Sequence, residues 1–227
     1  MMSFLEQLLP NAHQIPERFM EATLETLYMT LITCLIGFGL GLALGIWLVL
    51  TMPGGLKENK NIYSFLDKFV NIFRSIPFVI LMALLVSLTR LIVGTSIGTT
   101  AAIVPLVIST IPFYARQIQN TLVELEPGMI EAARSMGLGT WDIISRVYLK
   151  EGMPGIIRAS SLSIITVISL TAMAGTVGGG GLGNLAITLG YNRFQTDVTL
   201  IATLIILIIV FIFQWIGDLL VKRIDHS

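Results

Sequence analysis

The sequence predicts an all-α membrane protein built as a single domain over residues 1–227, and three observations predict it. Hydrophobic residues make up 54% of the chain and charged residues only 12%, about half the charged share of ordinary soluble domains. The apolar residues gather in five runs of a length that suits bilayer crossing. The connecting stretches hold most of the charge, above all 128–155, which is amphipathic and too charged to cross. A net charge of zero leaves no electrostatic footprint for nucleic acid. The single cysteine, Cys34, cannot form an intrachain disulfide and makes no metal site.

Residues 1–22, with Pro10 and Pro16, read as a short amphipathic or irregular lead-in. The first span, 23–50, carries no charge except Glu25. At 1.5 Å per residue it covers about 40 Å, enough to cross with tilt, and it is too long for a cleavable signal segment. Gly37, Gly41 and Gly45 recur in it at four-residue steps, a ladder that lets another helix approach closely. A polar connection with Pro53, Gly54 and Gly55 leads to a second span, 69–89. Pro77 is expected to kink that span, and Arg74 to sit near the membrane surface, because a charge at mid-membrane is costly. A third span, 97–114, contains Pro105 and Pro112. A fourth, 156–177, is rich in Ser and Thr, a glycine-rich connection follows, and a fifth, 198–216, is nearly pure Ile, Leu and Val before Lys222 and Arg223.

Five spans put the two ends of the chain on opposite sides. One side receives Lys57, Lys60, Lys68, Arg74, Arg116, Arg134, Arg146, Lys150, Arg158, Lys222 and Arg223; the other receives only Arg18, Arg90 and Arg193. The basic side is expected to be cytoplasmic. The N-terminus is then outside, the C-terminus inside, and 128–155 faces the cytoplasm.

That stretch reads as a helix–Gly–helix elbow. Pro127 and Gly128 open it. Glu131 is expected in the first turn, where a carboxylate complements the helix dipole. Ala132 and Ala133 form a small-residue surface that another protein can approach, and Gly137 is placed for a left-handed stop. Thr140 is expected to cap a second short helix, with Trp141, Ile144 and Tyr148 towards one face, ended by Gly152 and Pro154.

Catalytic and metal constellations are lacking: His13 and His226 stand alone near the termini. Gly178, Gly180 and Gly183 satisfy G-x-G-x-x-G, but no strand precedes them, so a mobile outer loop or a re-entrant turn is expected rather than a nucleotide site. The sequence contains no G-x-x-x-x-G-K-S/T run, so an ATP-driven function requires another subunit. Titrating groups near mid-membrane, which a proton-driven carrier needs, are not found, and the spans show no fixed counter-charge for a zwitterion. On the fourth span Thr166, Ser169, Met173 and Thr176 fall within about a quarter of the helical circumference. That face suits either a path for a small solute with polar and apolar parts or helix packing through hydroxyls.

The elbow resembles the EAA signature of ABC-importer permeases: Glu131, Ala132, Ala133 and Gly137 match at the expected spacing, and Val147 and Leu149 match the later aliphatic positions. Lys150 stands where the pattern has Pro, with Pro154 as the alternative break. The runs Asn71–Phe78, Val93–Gly98, Ala101–Leu106, Pro112–Arg116, Glu131–Gly137 and Gly178–Gly183 are similar to those of the permease subunits of methionine ABC importers. The resemblance implies a non-enzymatic subunit of a bacterial inner-membrane transporter, working by alternating access. It implies a second copy of the chain, two ABC ATPase subunits seated on the elbows, and an extracytoplasmic substrate-binding protein. ATP and magnesium would then sit on the ATPase, with no cofactor or metal in this chain. Glu131, Ala132, Ala133 and Gly137 would couple to the ATPase, and a bulky side chain at Ala133 is expected to block docking without unfolding the spans. The alternatives are an importer for another small solute, an ATP-independent channel or carrier, and a scaffold that moves nothing.

Overall fold

The computed structural model describes residues 9–224; His226 and the first residues of the lead-in lie outside them. Every element among the described residues is helical. The α-helices of four residues or more are α1 (Pro16–Thr51), α2 (Lys60–Ser75), α3 (Phe78–Leu84), α4 (Val86–Val93), α5 (Thr99–Val123), α6 (Pro127–Ser135), α7 (Thr140–Ile143), α8 (Met153–Gly175), α9 (Gly181–Leu185) and α10 (Thr196–Ile224). A π turn, Ile144–Tyr148, extends α7, and another, Ala186–Tyr191, extends α9.

Among the described residues four helices are long and apolar enough to cross a membrane: α1, α5, α8 and α10. They correspond to the first, third, fourth and fifth expected spans, and α5 and α10 continue beyond the sequence limits. The second expected span, 69–89, is not one helix. α2 stops at Ser75, Pro77 adopts an extended ψ of 133°, and α3 begins at Phe78. Pro lacks an N–H and pushes the residue before it, Ile76, out of the helical region, so the chain breaks here instead of kinking. A second break falls at Leu85, whose ψ is 1°. α2 itself is strongly two-faced. Leu66 and Val70 are buried, while Lys60, Asp67, Lys68, Asn71 and Arg74 gather within about a third of the circumference beside them.

The described chain forms two compact units. One gathers the residues through Leu35, Ile76–Ile108 and Ile164–Phe213; the other gathers Ile36–Ser75, Ser109–Ser163 and the chain from Gln214 on. In the first, Phe19 and Ala22 pack with Ile168, Leu182, Leu185, Val198 and Ala202, and Met29 with Phe78, Ala102, Leu106 and Ala174. In the second, Val49, Tyr114, Ile118 and Leu122 form a core with Ala133, Ile143, Ile144 and Tyr148. The glycine ladder sits here and does what its spacing predicts. A Cβ on Gly37 would lie 2.9 Å from Thr110, on Gly41 3.0 Å from the Ile111 carbonyl and on Gly45 2.7 Å from Ile118. The three glycines are therefore the seat of α5, and the rings of Phe38 and Tyr114 stack there at 4.2 Å.

Candidate functional site

The elbow is the α6–α7 hairpin. Pro127 opens α6 at its first position, where a missing N–H costs nothing. Glu131 lies one turn further in than expected, since no acidic residue occupies the first turn of α6. Gly137 has φ 76° and follows the helix as the left-handed stop. The Leu138 N–H reaches back to the Ala133 carbonyl at 3.2 Å, which satisfies one of the helix's last acceptors. Thr140 is not a cap: Gly139 holds the cap position, with no side-chain bond, and Thr140 is the first residue of α7.

The two alanines part company. Ala132 is exposed, whereas Ala133 is 2% exposed and belongs to the core of its unit. The expectation that a bulky side chain at Ala133 leaves the fold undisturbed is therefore corrected: a larger side chain there meets the elbow's own core. Trp141 also departs from expectation. It is 78% exposed, while Ile144 and Tyr148 are buried. A regular helix would align Trp141 with Tyr148; the wider π turn shifts the register after Ile143, so that Ile143, Ile144 and Tyr148 point inward instead. Burial pushes the Tyr148 phenol above its ordinary pKa. Gly152 ends the short α-helical turn after the π turn, and Pro154 stands in the first turn of α8, not at the end of the elbow.

Among the residues the elbow leaves outside are Glu131, Ala132, Met136 and Trp141. Two large apolar side chains held in water beside a small residue and a carboxylate form a surface suited to a partner. A cleft of about 300 Å³ runs along the same hairpin, lined by Met52, Leu56, Leu122, Ile130, Glu131 and Arg134.

On α8, Ser169 and Met173 are exposed and Thr166 is half-buried; Thr176, also exposed, lies in the turn just past the helix's end at Gly175. Thr166, Ser169 and Met173 share one side of α8 with exposed Leu162. Their hydroxyls are partly committed: Ser169 donates to the Ile165 carbonyl at 3.1 Å and Thr176 to that of Met173 at 2.7 Å. Hydroxyls bonded in this way keep acceptor lone pairs but have no free proton to give. Nearer the start of α8, Ser160 Oγ meets Tyr114 OH of α5 at 2.7 Å.

The glycine-rich connection is a packed re-entrant turn. Gly183 abuts the Ala172 backbone and Gly175 abuts the Asn184 amide, so closely that a Cβ fits at neither. Gly180 and Gly181 both have positive φ. The Gly181 N–H donates to Glu25 Oε2 at 2.6 Å, and the Leu182 N–H to Thr26 Oγ1 at 2.9 Å. Glu25, which the sequence places only as a charge near a span end, is the anion at the start of α9.

Sequence reasoning missed one constellation. Arg116 on α5 donates to Asp67 at 2.6 Å and Asn71 at 3.1 Å on α2, and to Gln119 at 2.6 Å. Gln119 in turn donates to Tyr63 at 3.4 Å. The Asp67–Arg116 pair is mostly screened from solvent. The pair ties α2 to the part of α5 that continues past the expected third span, 97–114. The signal was present: Asp67 and Asn71 are one turn apart, as are Arg116 and Gln119.

Four apolar helices of spanning length, a broken helical run after the first and an amphipathic elbow between two long helices suit a membrane transport component. Comparison with known proteins narrows the class. The family of binding-protein-dependent transport system inner membrane components matches residues 37–226, and this chain belongs to that family. It is 49% identical over 205 residues to the probable D-methionine transport system permease protein MetI of Pasteurella multocida (strain Pm70), covering 90% of this chain and 94% of the relative. It is 51% identical over 204 residues to the methionine import system permease protein MetP of Bacillus subtilis (strain 168), covering 90% and 92%. A solved structure of the MetNI methionine ABC transporter in an inward-facing conformation matches with a TM-score of 0.90 at 38% identity, covering 99% of this chain and 100% of that one.

Proposed function

We propose that this chain is the permease subunit of an importer that carries methionine across the cell membrane by alternating access, using ATP hydrolysed on a separate subunit. The observation that carries the reading is near-half identity over 90% of the chain to permeases named for methionine transport. The structural likeness extends it over nearly the full length.

The chain passes the membrane five times, through α1, the broken run α2–α3–α4, α5, α8 and α10. The division of the described chain into two units supports this topology. All eleven basic residues expected at the cytoplasm lie in the segments of the elbow's unit, and Arg18, Arg90 and Arg193 lie in those of the other. The N-terminus is outside, the C-terminus and the elbow inside. Two copies of the chain enclose one pathway. Each elbow offers Glu131, Ala132, Met136 and Trp141 to an ATPase subunit, with Gly137 setting the angle of the hairpin. ATP-driven closure of the ATPase pair draws the elbows together and opens the pathway outward; hydrolysis returns it inward. A binding protein delivers the amino acid, and the α8 face of Thr166, Ser169, Met173 and Thr176 lines its route.

The test is reconstitution in liposomes with the ATPase subunit and the binding protein. Labelled methionine accumulates only when ATP and both partners are present. Uptake without the ATPase would assign the chain to channels or secondary carriers, and uptake of a different solute in preference would reassign its substrate.

A further inference from the structure

We propose that the unit containing α9 holds a headgroup site for a zwitterionic phospholipid with a primary ammonium, in a cleft between the first turns of α1 and the re-entrant turn. The cleft has a volume of about 490 Å³. Arg18, Glu21 and Glu25 line it from α1, Asn184 and Thr188 from α9 and its π turn, and Arg193 from the loop that follows. Arg18 and Glu25 are two turns apart on one side of α1, and Glu21 flanks them.

Two guanidiniums and two carboxylates thus converge, and among the described residues none of the four enters an ion pair. Only one oxygen of Glu25 is committed, to the Gly181 N–H at 2.6 Å. The Thr188 hydroxyl donates to Asn184 Oδ1 at 2.6 Å, which leaves the Asn184 amide hydrogens turned to other acceptors. A lone anion would meet two carboxylates here and a lone cation two guanidiniums. A ligand carrying both charges satisfies both pairs, with its phosphate on Arg18 and Arg193 and its ammonium on Glu21 and Glu25. A choline head carries the same charges but has no N–H to donate.

The surroundings favour a lipid over a soluble zwitterion. Met20, Leu24, Tyr28, Leu31 and Leu35 are all exposed. Their spacing makes one apolar stripe down α1 that borders Glu21 and leads away from the cleft. It is about 22 Å long, enough for the ~15 Å of a single leaflet's hydrocarbon. On the other bank Tyr191 is exposed and Phe194 is 91% exposed beside Arg193. Phe194 has φ 57°, the one positive value among described non-glycine residues. A large aromatic held out in a left-handed turn next to an arginine suits the headgroup level of a bilayer. This site does not depend on what the protein transports.

The experiment places the protein, in complex with its ATPase subunit, in nanodiscs of equal phosphatidylethanolamine and phosphatidylcholine, and reads the retained lipid by native mass spectrometry. Phosphatidylethanolamine is expected to be retained at least about tenfold over phosphatidylcholine. The preference should vanish in Arg18→Gln/Arg193→Gln and persist in Arg90→Gln, which removes an outer arginine that does not line the cleft. Should the double variant fail to assemble, Glu21→Gln on the exposed first turns is read the same way. Equal retention of the two lipids, or a preference that survives these substitutions, overturns the proposal. So does displacement of the bound lipid by millimolar free methionine, which would assign the cleft to a soluble amino acid.

Discussion

Two glycine-punctuated turns, the elbow at Gly137 and the re-entrant turn at 175–183, look alike in sequence and use glycine for opposite reasons. A Cβ on Gly137 would touch nothing within 4 Å; only its φ of 76° asks for glycine. Gly183 and Gly175 have ordinary φ but no room at all, because backbone lies against each of them. The elbow glycine steers the chain and leaves a surface free, whereas Gly175 and Gly183 let backbone touch backbone around Gly178, Gly180 and Gly181, which turn the chain with positive φ as Gly137 does. One turn is built to meet something else, the other to hold its own unit together.

Substitutions sharpen the contrast. The largest effect is expected from Gly183→Val. Its side chain would overlap the Ala172 backbone, which cannot rotate away, at a cost of about 3 kcal/mol or more. The melting temperature of the purified variant should fall steeply, and a normal melt would show that the turn is looser than described. Next come the paired variants Ala133→Trp and Ala132→Trp. The first enters the core beside Ile143 and Tyr148 and should lower the melting temperature and the yield. The second stands on the exposed side of α6, should change stability by less than about 0.5 kcal/mol, and should abolish ATPase-coupled uptake. If both variants melt alike, the division of the hairpin into a buried and a docking side is wrong.

Much of this was legible in the sequence for physical reasons. Gly37, Gly41 and Gly45 announce a close helix contact because only a helix repeats every four residues on one face. Gly137 announces a left-handed stop because it ends an amphipathic run. The basic residues divide between the segments of the two compact units as the span count divides them. What was not legible depends on events between distant parts of the chain. Pro77 shows that a helix is disturbed, but break or kink is decided by the extended ψ the folded chain allows it. Trp141 and Tyr148 look like one face until a π turn, which no spacing encodes, parts them. Asp67 and Arg116 are 49 positions apart, so their pairing requires the fold. Glu25 reads as a charge at a span end until the re-entrant turn brings the Gly181 N–H to it.

The central claim is that the exposed side of the elbow lies at the cytoplasm and is covered by a separate ATPase. The most direct test places a single reporter there, Trp141→Cys in a Cys34→Ala background, and measures labelling by a membrane-impermeant thiol reagent. The account predicts rapid labelling in inside-out vesicles that carry the chain alone, no labelling in right-side-out vesicles, and protection when the ATPase subunit is bound. Labelling from the outer side, or labelling undiminished by the ATPase, would contradict it.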